Sequence, residues 1–221
     1  MMLLYKKSAI ILLLNLGVAL ENLSFFISIY IKFFFIMTPF FVLSMFLSMT
    51  KDLTDSHRKT IAIKVTLAVV VSSMVILHFG KYIFDLFGIT LDAFRIGAGA
   101  LLFLTAVDLI KKDINENISC PTDIAKHTVV PLAIPITVGP GTIGTLMVMG
   151  AEMNSISIII TGSLALLCSI LTIGILLYTS GSMKKFARGT GLIVLSKITG
   201  LIVSALSAQL IFTGIKNFLN L

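Results

Sequence analysis

Residues 131–144 read PLAIPITVGPGTIG, with three prolines and three glycines inside a run otherwise apolar enough to span a membrane. Pro135 and Pro140 lack the N–H that closes a helical turn, and Gly139 and Gly141 admit conformations closed to other residues. In hydrocarbon, irregular backbone survives only where protein packs around it or where it lines a polar cavity. The chemistry on offer is therefore recognition of a small polar solute by backbone groups. A helix restarting after Gly139-Pro140-Gly141 presents free N–H groups around Thr142 and Ile143, and its positive dipole end suits an anion such as an amino-acid carboxylate. Thr137 and Thr142 add hydroxyls, and unwound carbonyls near Ile136 or Val138 suit a small cation or an ammonium. Two plainer readings stand beside this one. The breakers could form a packing kink, since proline and glycine are common in membrane helices, and Thr142 could cap its own turn.

The elements that must position such a site follow from composition. Of the 221 residues 57% are hydrophobic and 12% charged, with a mean hydropathy of +1.07; ordinary soluble domains carry about 25% charged residues. The chain is a polytopic membrane protein. Apolar runs of the roughly 20 residues that cross a bilayer follow one another near residues 24–49, 60–80, 92–110, 128–152, 156–179 and 192–214. Each run is continuously apolar rather than alternating with period two, which predicts helices and not barrel strands. The expected fold is an all-α bundle of six core helices forming one membrane domain over residues 24–221, preceded by a hydrophobic extension at 1–23.

Charge orients the bundle. The 17 basic against 10 acidic residues punctuate hydrophobic runs instead of forming the patch that nucleic acid would require. Lys51, Arg58 and Lys59 follow the first span, Lys111, Lys112 and Lys126 the third, and Lys184, Lys185 and Arg188 the fifth. The second loop has only Lys81, with Arg95 just inside the third span, and the fourth loop has none. The positive-inside rule puts the first, third and fifth loops in the cytoplasm and both ends of the six-span core outside. A bacterial inner membrane is the expected location. Residues 1–23, where Lys6 and Lys7 precede an apolar run, could be an extra helix, a cleaved leader or part of the first span; no convincing cleavage pattern surrounds Ala19, which favours retention.

The prolines repeat by half. Pro39 lies near the middle of the first span and Pro131, Pro135 and Pro140 lie in the fourth, the equivalent helix of a second three-span half. FRIGAGALLFLTAV from Phe94 and SKITGLIVSALSAQ from Ser196 echo each other, a basic residue followed by glycine. Three spans change sides of the membrane, so the halves, about 24–112 and 128–221, form an inverted repeat with interrupted helices 1 and 4. That arrangement points to a midplane site and alternating access.

Three segments carry a family resemblance: VVPLAIPITVGPGTIG from Val129, FGITLDAFRIGAGALLF from Phe87 and TPFFVLSMFLSMT from Thr38. From about residue 24 to the C-terminus the chain resembles the MarC family of bacterial and archaeal inner-membrane proteins. The resemblance implies a six-span fold and transport, because an archaeal relative moves small neutral amino acids such as glycine and alanine; the family's antibiotic-resistance name is not a secure function. The family's first span usually reads Asn-Pro-x-Gly-x-x-Pro. Here Thr38, Phe41 and Ser44 replace the asparagine, the glycine and the second proline, and Pro39 alone is kept. Losing the amide removes a donor and an acceptor from the first half of the site.

The candidate substrate-binding set is thus Thr38, Pro39, Pro135, Thr137, Gly139, Pro140, Gly141 and Thr142. Arg95 is a gate or an interfacial anchor. Asp108 precedes Lys111 by one turn and reads as half of a neutralised helix end, Glu152 as a solvated terminus, and Lys32 as a snorkelling side chain. Small-residue stripes at Gly200, Ser204, Ser207 and Gly214, and at Gly162, Ala165, Ser169 and Thr172, read as helix packing. Cys120 in a cytoplasmic loop and Cys168 in a span cannot pair across compartments. An enzyme lacks support, since no nucleophile and base, paired aspartates or HExxH cluster lies at membrane depth. The expected function is a carrier or exporter of a small polar solute, without a cofactor but with Na⁺ or H⁺ as a coupling ion. A scaffold or a channel is the alternative, and homo-oligomerisation stays open.

Overall fold

The computed structural model describes residues 23–51, 53–111, 137–181 and 190–220. Its helices are α1 (Leu23–Ile36), α2 (Pro39–Met49), α3 (Asp55–Phe87), α4 (Leu91–Lys111), α5 (Pro140–Glu152), α6 (Ile156–Thr179) and α7 (Thr190–Phe218), with no strand among the described residues. α3, α4, α6 and α7 are each long and apolar enough to cross a membrane, and α1 with α2 makes a fifth span bent by 40°. α5, with 13 residues, rises only about 20 Å at 1.5 Å per residue. The rest of the expected fourth span, with Pro131 and Pro135, lies outside the described residues, as do residues 1–22 and Cys120.

The helices start where local chemistry allows. Thr54 caps α3, its hydroxyl accepting from the His57 N–H, and Ser155 caps α6 by accepting from the Ile158 N–H, the usual way to satisfy an orphan donor. Both half-helices behind the breaks use the other device: Pro39 opens α2 and Pro140 opens α5, a position where the missing N–H is not needed. α3 runs to Phe87, seven residues beyond the expected end of its span, and stops at Gly88 with φ 62°.

Thr38 joins α1 to α2 in the left-handed region, at φ 49° and ψ 58°. For a β-branched residue this is a true outlier, and the family's asparagine is the residue that tolerates it. Replacing Thr38→Asn is therefore expected to stabilise the fold by about 1 kcal/mol, a share of the roughly 1–2 kcal/mol that left-handed backbone costs an L-residue. A rise in the unfolding temperature of the detergent-purified protein is the check.

Packing is set by small residues. α4 lies along α7; α5 contacts both α3 and α4, α3 also contacts α6, and α2 contacts α6 and α7. A methyl group added at Gly141 would lie 2.8 Å from the Leu102 Cα, and one at Gly144 would lie 2.6 Å from the Ala98 Cβ, so the backbones of α5 and α4 nearly touch. On its other side α5 meets α3, with Gly80 beneath the Met147 Cα and Gly150 against the Leu77 carbonyl. The sixth-span stripe also packs: Gly200 faces the Ala106 carbonyl and Gly214 the Asp92 carbonyl, both on α4. Such close approach is what dispersion-driven association in lipid requires. The outward faces of α3, α6 and α7, with Leu67, Val71, Ile175 and Phe212, stay apolar and exposed.

One basic residue taken as a topology signal has a second role. Arg58 is fully buried beneath the α2–α3 connection. Its guanidinium donates to the Thr50 carbonyl at 2.8 Å, the Leu53 carbonyl at 3.3 Å, the Thr50 hydroxyl at 3.2 Å and Asp55 at 2.6 Å. It thereby ties the connection to the start of α3 and adds a second donor to the Thr50 carbonyl, which also accepts from the Leu53 N–H.

Candidate functional site

The break between α1 and α2 meets the start of α5. α1 ends at Ile36 because Pro39 cannot donate, so its last carbonyls need other partners. The Thr38 N–H turns back to the Phe35 carbonyl at 2.9 Å. The Ile36 carbonyl accepts instead from the Thr142 hydroxyl, 3.3 Å away on α5 and 106 residues distant in sequence. Thr142 therefore donates its proton to the α1 break rather than to its own turn, and its hydroxyl oxygen can still accept from a solute. The Ile143 N–H is also committed, to the Gly139 carbonyl at 2.8 Å. The start of α5 is covered on one side by Leu102, and Thr38, Pro39, Thr137 and Thr142 are all buried.

A cavity of about 240 Å³ lies against this junction. α1 contributes Lys32 and Ile36, α4 Arg95 and Leu102, α5 Thr145, Val148, Met149 and Glu152, and α7 Leu206, Gln209, Leu210 and Thr213. Ile36 and Thr145 mark its floor, since the first is bonded to Thr142 and the second donates to the Gly141 carbonyl at 2.8 Å. Arg95 and Glu152 mark its mouth, beside the ends of α4 and α5 that the charge pattern assigns to the outer side. Below the roughly 300–1,000 Å³ of pockets for drug-sized ligands, and far above the roughly 10–15 Å³ one water needs, it suits a solute of few heavy atoms.

Arg95 organises the mouth. Only 8% exposed, it forms an ion pair with Asp92 one turn before it and donates through Nε at 3.1 Å and through a terminal nitrogen at 2.5 Å to Glu152 at the end of α5. Asn217 of α7 donates to the same Asp92 at 3.3 Å. Three helices are thus tied at one end by a single polar network. Glu152, read from sequence as solvated, is 44% exposed at its side chain and paired.

Of the residues selected from sequence, only Arg95 lines the cavity. Thr38, Pro39, Gly139, Pro140, Gly141 and Thr142 build the junction beneath it, and Pro135 lies outside the described residues. Thr137 faces elsewhere, onto a void of about 10 Å³ between α3 and α6. Lys32, Thr145, Glu152, Gln209 and Thr213 were not selected. Lys32 carried a signal, a charge well inside an apolar run; Thr145 and Thr213 had none, because threonine in a span is usually bonded to its own helix, as both are here.

Comparisons with known proteins agree with this architecture. A family model described as MarC family integral membrane protein matches residues 23–219. A UPF0056 membrane protein of Methanocaldococcus jannaschii is 32% identical over 207 residues, 91% of either chain. The UPF0056 membrane protein YhcE of Escherichia coli is 31% identical over 198 residues, covering 85% of this chain and 92% of its own. A UPF0056 membrane protein of Aquifex aeolicus is 28% identical over 204 residues, 88% and 94% respectively. No solved structure matches.

Proposed function

The chain belongs to the MarC family of integral membrane proteins, and from that premise we propose that it is an inner-membrane secondary transporter or exporter of small neutral amino acids or similar small polar solutes. The observation that carries the reading is the meeting of the α1–α2 break with the proline-opened start of α5 beneath a small cavity lined by charged and polar groups from four helices. Irregular backbone at the centre of the bundle and ionisable groups facing a cavity are the features that membrane carriers place at their binding sites.

The inverted six-helix repeat belongs to the same proposal. Each half has a break followed by a helix opening on proline. Exchanging the halves maps α2 on α5, α3 on α6 and α4 on α7. The pairs α3–α6 and α4–α7 map onto themselves, while contacts of α5 with α3 and α4 map onto those of α2 with α6 and α7. Rocking of one half against the other would expose the cavity alternately, with the Arg95–Glu152 pair as the outer gate.

The test is uptake and counterflow of radiolabelled glycine, alanine and serine in proteoliposomes, with and without Na⁺ or H⁺ gradients. Bulk at Gly141 would collide with α4, so Gln209→Trp is the better control: residue 209 is exposed and lines the cavity, and an indole there fills space without entering the core. Saturable flux lost in Gln209→Trp, with the variant monodisperse, supports a carrier and identifies the coupling ion. Conductance without saturation favours a channel; no flux from folded protein sinks the transport reading and favours a scaffold.

A further inference from the structure

We propose that Lys32 is the specificity-determining cation of this cavity and pairs with the carboxylate of the transported solute. The inference rests on the carrier reading and deepens it by assigning the solute's charged group. Lys32 is partly buried on α1, nine residues after its start at Leu23, and faces the cavity rather than lipid. Among the described residues no hydrogen bond or ion pair holds its ammonium, whereas Arg95, the other cation on the lining, is bound to both Asp92 and Glu152. An ionisable side chain inside a span faces a polar partner by default. None of the described residues supplies that partner, and the proposal gives the place to an anionic ligand.

Position and charge agree. Lys32 lies four residues before Ile36, about 6 Å of helical rise above the carbonyl that forms the floor. Glu152 lies ten residues after Thr142, about 15 Å above the same junction. That register places the Lys32 backbone between the floor and the mouth. Arg95 pairs its charge with Asp92 and Glu152, so Lys32 is the cation on the lining without a counter-ion among the described residues, and an ammonium selects a carboxylate over a neutral amide or an amine. Thr145 and Thr213, whose protons go to carbonyls of their own helices, can accept from the solute's remaining polar groups, and Gln209 can both donate and accept. The alternative, a lysine that only snorkels outward along α1, leaves the solute's carboxylate unrecognised.

The experiment compares wild type, Lys32→Met and Lys32→Arg in the proteoliposome assay, with glycine as substrate and glycinamide, which lacks the carboxylate, as competitor. Loss of one charge-assisted bond predicts a rise in KM of about 10–100-fold in Lys32→Met, with much of the affinity restored in Lys32→Arg. Glycinamide should compete poorly with the wild type and gain relative to glycine in the methionine variant. An unchanged KM in Lys32→Met, where the wild type does transport, overturns the role of Lys32 and leaves the carrier reading intact. A direct arm covers the case of no flux: the shift in unfolding temperature of the detergent-purified full chain with millimolar glycine or glycinamide. Stabilisation by glycine alone, abolished in Lys32→Met, supports the assignment; equal shifts in both proteins, or none in the wild type, overturn it. Removing a charge from a span does not threaten insertion, so the variant should remain folded.

Discussion

Gly150→Ala is expected to destabilise the protein by about 3 kcal/mol, the upper part of the usual overpacking range. α5 is wedged between α3 and α4, with Gly141 and Gly144 on one side and Gly150 on the other. The alanine methyl would fall on the Leu77 carbonyl, a backbone group fixed within α3 that cannot rotate away. Relief requires α3 and α5 to separate, which forfeits the dispersion contacts that hold helices together in lipid. Gly97→Ala is the matched control. Nothing lies within 4 Å of a methyl there, and replacing glycine within α4 should stabilise by about 0.4–1 kcal/mol through the unfolded chain. The readouts are the unfolding temperature in detergent and the recovery of monodisperse protein. Equal shifts in the two variants would refute the close α3–α5 contact.

Arg95→Met carries the second large effect. Breaking a fully buried ion pair costs roughly 3–5 kcal/mol because the partner is left uncompensated. Here Glu152 and Asp92 keep side-chain exposures of 44% and 29%, so water recovers part of the loss and about 2–3 kcal/mol is expected. Glu152→Gln should cost under about 1 kcal/mol, since an amide oxygen still accepts from the guanidinium and Asp92 remains in place. A double-mutant cycle on Arg95 and Glu152 should give a coupling of at least about 0.5 kcal/mol. Additive effects would mean that the two side chains do not hold α4 to α5. In the transport assay the pair's role as a gate predicts faster leak of accumulated solute from Arg95→Met vesicles, a readout that stability alone does not move.

Much of the architecture was legible without coordinates. Hydropathy and the absence of period-two alternation gave the helical membrane class, and α6 begins and ends where its apolar run does. Pro39 marked the break between α1 and α2, and Pro140 the first residue of α5. The ends of α3 were less visible, because a capped helix continues past the membrane wherever its backbone bonds are satisfied. The partner of Glu152 was hidden for a related reason: its neighbours in sequence say that it ends a helix near the surface, where its side chain is 44% exposed, but only the fold brings Arg95 of α4 to it across 57 positions.

The sequence by itself determined the solvent, the number and rough extent of the apolar runs, the charge alternation that orients them, and the places where the helix must stop. Each is a local property, the free energy of one segment's side chains or backbone against water, lipid or its own next turn. Which interruption meets which, and which polar groups share a cavity, only the tertiary structure decided. The Thr142–Ile36 bond and the convergence of Lys32, Arg95 and Glu152 depend on how three helices are rotated about their axes. The seating of α5 between α3 and α4 is set by backbone contacts at Gly80, Gly141, Gly144 and Gly150, which arise from shape complementarity between distant segments and leave almost no trace in the hydropathy of any one of them.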